Sequence, residues 1–240
     1  AASSPSTLPA IRAAPKAGIA LPDAPAWEKP AKVLVFTNVI EAYRRAVTSK
    51  VLSEFVPPDA RARLDTILDQ VTFLRVTMAE VVGFLMGRED RFTPRQLRSA
   101  YRPIRALKAE LVSLWLLPDP KLAELGMLPA GDEVYDAYRL FAAELVVSQV
   151  LVRDEKLRPP RRIARRILAR YLVEKAKVVT FVEKDERSYP VVEDPKAFRE
   201  AIGKLLGRCG HILAEGDRRG ALRLMQYAGP AEWPGLDDMQ

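Results

Sequence analysis

"ARARLDTILDQVTFLRVTMAEVVGFLM", residues 60–86, decides the fold. It places Leu64, Ile67, Leu68, Val71, Leu74, Met78, Val81, Val82 and Leu85 at helical spacing. Phe73, Val76 and Phe84 fall on the other side of the same helix. A helix that is apolar over most of its circumference belongs inside a bundle. The expectation is an all-α chain built around this segment.

Helical signals continue on both sides of it. Upstream, "VLVFTNVIEAYRRAVTSKVLSEFV" (33–56) aligns Phe36, Val39/Ile40, Tyr43, Val47, Val51 and Phe55 near one face, and "PPD" (57–59) closes it. Downstream, "RFTPRQ" predicts a start with Thr93 as N-cap, Pro94 in the first position and Gln96 completing the capping box. Pro103 kinks this helix or opens a second start, and "IRALKAELVSLWLL" runs on to a stop at Pro118. "PDPKLAELGMLPAGD" reads as a loop with one short helical turn, after which Asp132 caps a helix over 133–152. "RPP" (158–160) breaks the chain before an arginine-rich helix. The stretch 178–194 suits either a continuation of that helix or a short hairpin of β-branched residues. Asp194–Pro195 opens a helix at 196–208, and a last helix spans about Arg218 to Tyr227.

Residues 1–31 hold ten alanines and six prolines with no apolar period, so this segment should be an extended arm. The expected organisation is therefore an extended Ala/Pro-rich arm (1–31), a helical bundle (32–182) and a small C-terminal helical appendage with an irregular acidic tail (183–240). The arm contains only Asp23 and Glu28 as acids. That suits the remnant of a cleaved organelle import signal, in a mitochondrion or plastid. A low-complexity cytoplasmic or bacterial tail is the other reading.

Several chemistries lack their residues. One cysteine, Cys209, forms no internal disulfide, and one histidine, His211, cannot supply a His/Cys zinc site or a paired Glu-x-x-His centre. No phosphate-cradling glycine loop and no nucleophile elbow occurs. Cys209 and His211 sit two apart and diverge by about 200° on a helix, against a nucleophile–base pair. No cofactor and no metal is expected. The longest apolar runs, 81–87 and 111–117, fall well short of the roughly 18 residues of a membrane span.

Three helices each carry a glutamate after alanine in an apolar run: Glu80, Glu110 and Glu144. If they converge, at least one pKa should rise and a proton-transfer or cation site follows. The structural alternative pairs each with an arginine such as Arg75, Arg105 or Arg139, or leaves it in solvent.

The net charge of +7 is local, since ten basic and three acidic residues of 153–177 account for all of it. On a helical wheel with Ile163 at zero, Ile167, Tyr171, Leu168 and Leu172 occupy one half. Arg165 falls at about 200°, beside Leu172 at about 180°, and Arg162, Arg166, Lys177 and Arg170 follow round the other half. Like charges along one helix face repel, and Glu174 is the sole acid in the helix. The arrangement predicts an anionic partner held by Arg158, Arg161, Arg162, Arg165, Arg166, Arg170 and Lys177.

The expected function is a non-catalytic helical structural subunit of a larger, organellar assembly, such as a ribosome or a respiratory or photosynthetic complex. Its partners would be other protein subunits, structured RNA contacted through phosphates, or a membrane edge. A freestanding RNA-binding or assembly factor is the second reading. An enzyme or cation site on Glu80, Glu110 and Glu144 is the third.

Overall fold

The helix read from residues 60–86 runs from Pro58 to Leu85 (α3) in the computed structural model, which describes residues 18–20, 33–85, 92–129, 131–151, 159–184 and 187–229. Its inner stripe is Leu64, Ile67, Leu68, Val71 and Leu74, all buried. Phe73 stays 40% exposed.

The segment 33–56, expected as one helix, is divided. Val33–Val35 (β2) pairs antiparallel with Gly18–Ala20 (β1) of the arm, with Ile19 opposite Leu34. A run of β-branched and aliphatic residues with an extended partner at hand favours strand over helix. Helix α1 (Thr37–Tyr43) follows, passes through a π-turn at Arg44–Thr48, and continues as α2 (Ser49–Phe55).

Beyond α3, the break falls differently from the capping-box reading. Helix α4 (Thr93–Leu97) takes Phe92 as its N-cap without side-chain help. Thr93 is buried, and its hydroxyl donates to the Leu213 carbonyl at 3.3 Å instead. Tertiary packing thus diverts the hydroxyl from its local role. Arg98, at φ +53°, turns the chain into a 3₁₀ turn and then α5 (Tyr101–Leu116), so Pro103 lies in the first turn of a new helix, where proline is tolerated. Asp119 caps the short α6 (Pro120–Glu124) by accepting from the Lys121 N–H.

Two helices form the interior. Helix α5 packs on α3, on α8 (Pro159–Arg170) and on α9 (Pro195–Glu215), and buries Ile104, Leu107, Leu111 and Leu114 completely. Helix α7 (Glu133–Leu151) is buried on almost every side from Val134 to Val146, apart from Tyr135 and Arg139. It separates two apolar clusters: Leu140 and Ala143 face α2 and α3, while Tyr138, Phe141 and Leu145 join the larger core. That core continues from Ile67 on α3 to Leu224 on α10 (Arg218–Met225).

The arginine-rich helix α8 (Pro159–Arg170) ends in a π-turn at Tyr171–Lys175. Lys177 then takes a left-handed φ of +54°, and the chain enters a hairpin, β3 (Thr180–Lys184) and β4 (Arg187–Val191), with Val182 opposite Tyr189. Of the two readings of 178–194, the hairpin is the one the chain adopts, and Phe181 belongs to its first strand. Helix α9 (Pro195–Glu215) begins as expected, with Asp194 accepting from the Lys196 and Ala197 N–H groups at 2.9 and 3.0 Å. It runs past the expected end at 208 to Gly216, at φ +64°. Gly207 and Gly210 each cost helix propensity, about 1 kcal/mol. Burial of Cys209, Ile212 and Leu213 offsets that cost. Gly203 admits the Trp115 ring, which a Cβ there would meet at 2.5 Å.

The all-α expectation holds, with two short antiparallel strand pairs added. Among the described residues no helix is long and apolar enough to cross a membrane.

Candidate functional site

The three glutamates converge. Helices α3, α5 and α7 deliver Glu80, Glu110 and Glu144 to one region between α1 and α8, together with Arg75, Arg161 and Arg165. The Arg75 guanidinium is the centre. It donates to Glu144 at 2.7 Å, lies 3.6 Å from Glu110, and sits 5.2 Å from the centroid of the Phe141 ring. The other Glu144 oxygen accepts from the Thr48 hydroxyl at 2.9 Å. Thr48 is fully buried and comes from the π-turn between α1 and α2, a distortion often found at functional positions.

Above this buried pair, α8 brings two more cations. Arg165 donates to Glu110 at 3.4 Å and is hydrogen-bonded with the Tyr43 hydroxyl. Arg161, at the rim and more than half exposed, donates to Glu80 at 2.5 Å. A cleft opens over these groups, with a cavity of about 80 Å³. Val39 and Ile40 of α1 and Val76 and Ala79 of α3 form its apolar wall. Tyr43, Arg75, Glu80, Glu110, Arg161 and Arg165 form its polar side.

The charges of the whole cluster balance, three guanidinium groups against three carboxylates. Convergence therefore does not raise the Glu110 pKa as repulsion among glutamates would. Burial pushes Glu110 up, but the charges of Arg165, Arg75 and Arg161 outweigh it and hold its pKa below the ordinary value. The same pairing keeps Arg75 and Arg165 charged despite burial. The arginine-paired alternative is what the geometry realises, with Arg75 as one partner. Arg139 instead pairs with Asp136.

A depressed folded pKa stabilises the fold above the ordinary glutamate value of about 4.3, and that contribution disappears as pH falls through the lower folded value. Glu110→Gln is expected to lower the melting temperature at pH 7. Calorimetry should show the gap to wild type closing as the pH drops below about 4.

Among the described residues, three of the seven basic residues assigned to an external anion have a carboxylate partner: Arg161 with Glu80, Arg165 with Glu110, and Arg170 with Glu174 at 2.7 Å. Arg165 is turned inward, contrary to its place on the outward half of the wheel. Its position beside Leu172 was the signal for that. Arg170 also lies 6.0 Å from the Tyr227 ring centroid. Arg166 is partly buried and Lys177 exposed. The Nε of Arg162 is buried with no hydrogen-bond partner among the described residues. Arg158 lies outside the described residues. Sequence reasoning missed Thr48 and Tyr43, because neither stands out until folding sets Thr48 against Glu144 and Tyr43 against Arg165.

Elsewhere, a second cleft of about 520 Å³ is lined by Arg63, Tyr135, Asp136, Arg139, Glu193 and Lys196, among others. The Asp136 carboxylate is buried there and accepts from Arg63 at 2.8 Å and from Arg139. The Cys209 thiol is buried, and burial pushes its pKa up to about 12, far from a reactive thiolate. His211 is exposed. Among the described residues no group of three or more His, Cys, Asp or Glu side chains is placed to hold a metal ion.

No protein-family model matches the chain, and no curated protein matches it. Solved structures do match it, and two of them are dipeptidyl-peptidases III. One is a DPP III from Caldithrix abyssi, with a TM-score of 0.68 and 17% identity over 90% of this chain and 40% of that one. The other is dipeptidyl-peptidase III from Corallococcus sp. strain EGB, with a TM-score of 0.69 and 20% identity over 92% of this chain and 40% of that one. The chain thus spans about two fifths of the length of these proteins. The likeness overturns the expectation of a non-catalytic structural subunit in an organellar ribosome or membrane complex, and with it the reading as a non-enzyme. The charged helix suggested docking because its anions were sought outside the chain, whereas Glu80 and Glu110 of the folded cluster meet two of its arginines. At this level of identity the correspondence is one of architecture: the chain shares its fold with part of a dipeptidyl-peptidase III.

Proposed function

We propose that the chain is a helical lobe of a peptidase-type enzyme and that its charged cleft holds one end of a short peptide. The likeness to two dipeptidyl-peptidases III over nine tenths of the chain carries this reading. The cleft supports it. Its apolar wall and convergent polar groups resemble a small-ligand site, where a few placed polar side chains orient a ligand against an apolar surface. The described side chains supply charge and shape, the elements of recognition.

Calorimetric titration of the protein with peptides of two to eight residues tests it. Saturable binding of short peptides, competing with one another, is the expected result. Mass spectrometry of the same mixtures reads any release of dipeptides. Absence of binding across the whole series would overturn the proposal.

A further inference from the structure

We infer that the cleft between α1, α3 and α8 is a carboxylate site: it takes a ligand whose carboxylate meets Arg161 and Arg165 and whose adjacent small apolar side chain lies against Val39 and Val76. This deepens the peptide-handling reading and rests on it for the peptide as ligand.

The polarity of the site follows from its lining. Three guanidinium groups, Arg75, Arg161 and Arg165, face the cleft with only two carboxylates, Glu80 and Glu110. The third carboxylate that balances the cluster, Glu144, lies below, occupied by Arg75 and Thr48. The surface offered to a ligand is therefore positive in balance, although the cluster as a whole is neutral. Arg75 and Glu144 are nine-tenths buried, so this charge is held in place rather than carried on mobile surface side chains.

The rim decides between the two ends of a peptide. An incoming ammonium would have to displace Arg161 from Glu80, breaking an ion pair of 2.5 Å. An incoming carboxylate need displace nothing. Arginine presents five N–H donors in a planar fork, and the Glu80 contact engages one terminal nitrogen. Arg161 can hold Glu80 on one edge and a ligand carboxylate on another, with Arg165 adding its charge from beneath. The cavity of about 80 Å³ has room for roughly six ordered waters, or for about one amino-acid residue. The group that enters is therefore a single terminal residue with a small aliphatic side chain. A free branched-chain acid offers the same chemistry without the peptide.

The experiment is calorimetric titration of the full chain with Ala-Val, its C-terminal amide, its N-acetyl form, and isovalerate. The acid and its acetylated form should bind alike, with the amide about tenfold weaker or worse, as for loss of a charge-assisted hydrogen bond. Arg161→Gln should abolish the preference for acid over amide, Arg161→Lys should keep part of it, and Ala79→Leu, which fills the cavity, should weaken all peptides. Melting temperatures of the three variants close to wild type would show that they fold. Amide binding as tight as acid, or loss on acetylation instead of amidation, would overturn the carboxylate site while leaving peptide binding in place. Isovalerate binding without peptide binding would keep the site and overturn the peptide reading. No binding of any of the four would overturn both.

Discussion

Glu144→Ala should lower stability by about 3–5 kcal/mol, the cost of leaving a buried charge without its partner. For a chain of this size that is a fall of roughly 10 °C in melting temperature. Arg75 is the charge left behind. It is about 7% exposed at its side chain, and Glu144 is its closest carboxylate. The remaining contact, to Glu110 at 3.6 Å, is shared with Arg165 and cannot replace it. The control separates a buried pair from a generally important region. Arg75→Met combined with Glu144→Leu removes both charges while keeping volume, and should recover most of the loss. If the double variant is no more stable than Glu144→Ala alone, the pair is not the cause.

Phe198→Ala is the second large effect, expected to cost about 3–5 kcal/mol. Phe198 has no exposed surface, and its ring centroid lies 4.6 Å from that of Tyr138 on α7. Tyr138 is equally enclosed, donates its hydroxyl to the Leu114 carbonyl at 3.1 Å, and has its pKa raised by burial. The substitution opens a cavity where α9, α7 and α5 meet. It also tests the division of the chain at residue 183, because the apolar core runs without interruption through Phe198 to Leu224. A single cooperative transition, shifted as a whole, is the expected result. An early transition confined to the C-terminal helices, with the remainder melting as in wild type, would mark 183–240 as an independently folding appendage.

The parts of the fold that were legible in sequence are those fixed by neighbours a few residues away. Apolar spacing located α3, and proline with a capping aspartate located the start of α9. Local signals failed where distant groups competed for the same atoms. Thr93 reads as an N-cap, yet its hydroxyl is claimed by a carbonyl 120 residues away. Val33–Val35 continues a helical pattern, yet the strand at Gly18–Ala20 pairs with it. The glycines of α9 argue for an earlier end, yet burial of Cys209 and Ile212 carries the helix on. The site divides in the same way. Glu80, Glu110 and Glu144 were visible as carboxylates in apolar runs and Arg75 as a candidate partner, but Arg161 and Arg165 were not assignable to them from spacing.

By itself the sequence determined the helical class, the approximate places of the helices, and the concentration of positive charge near α8. Those properties depend on side-chain period and composition, which are local. The tertiary structure alone decided which groups the arginines of α8 meet. Electrostatic partners are chosen by distance in space, and only the packing of α8 across α3 and α5 sets Arg161 against Glu80 and Arg165 against Glu110. That packing makes α8 one wall of a cleft.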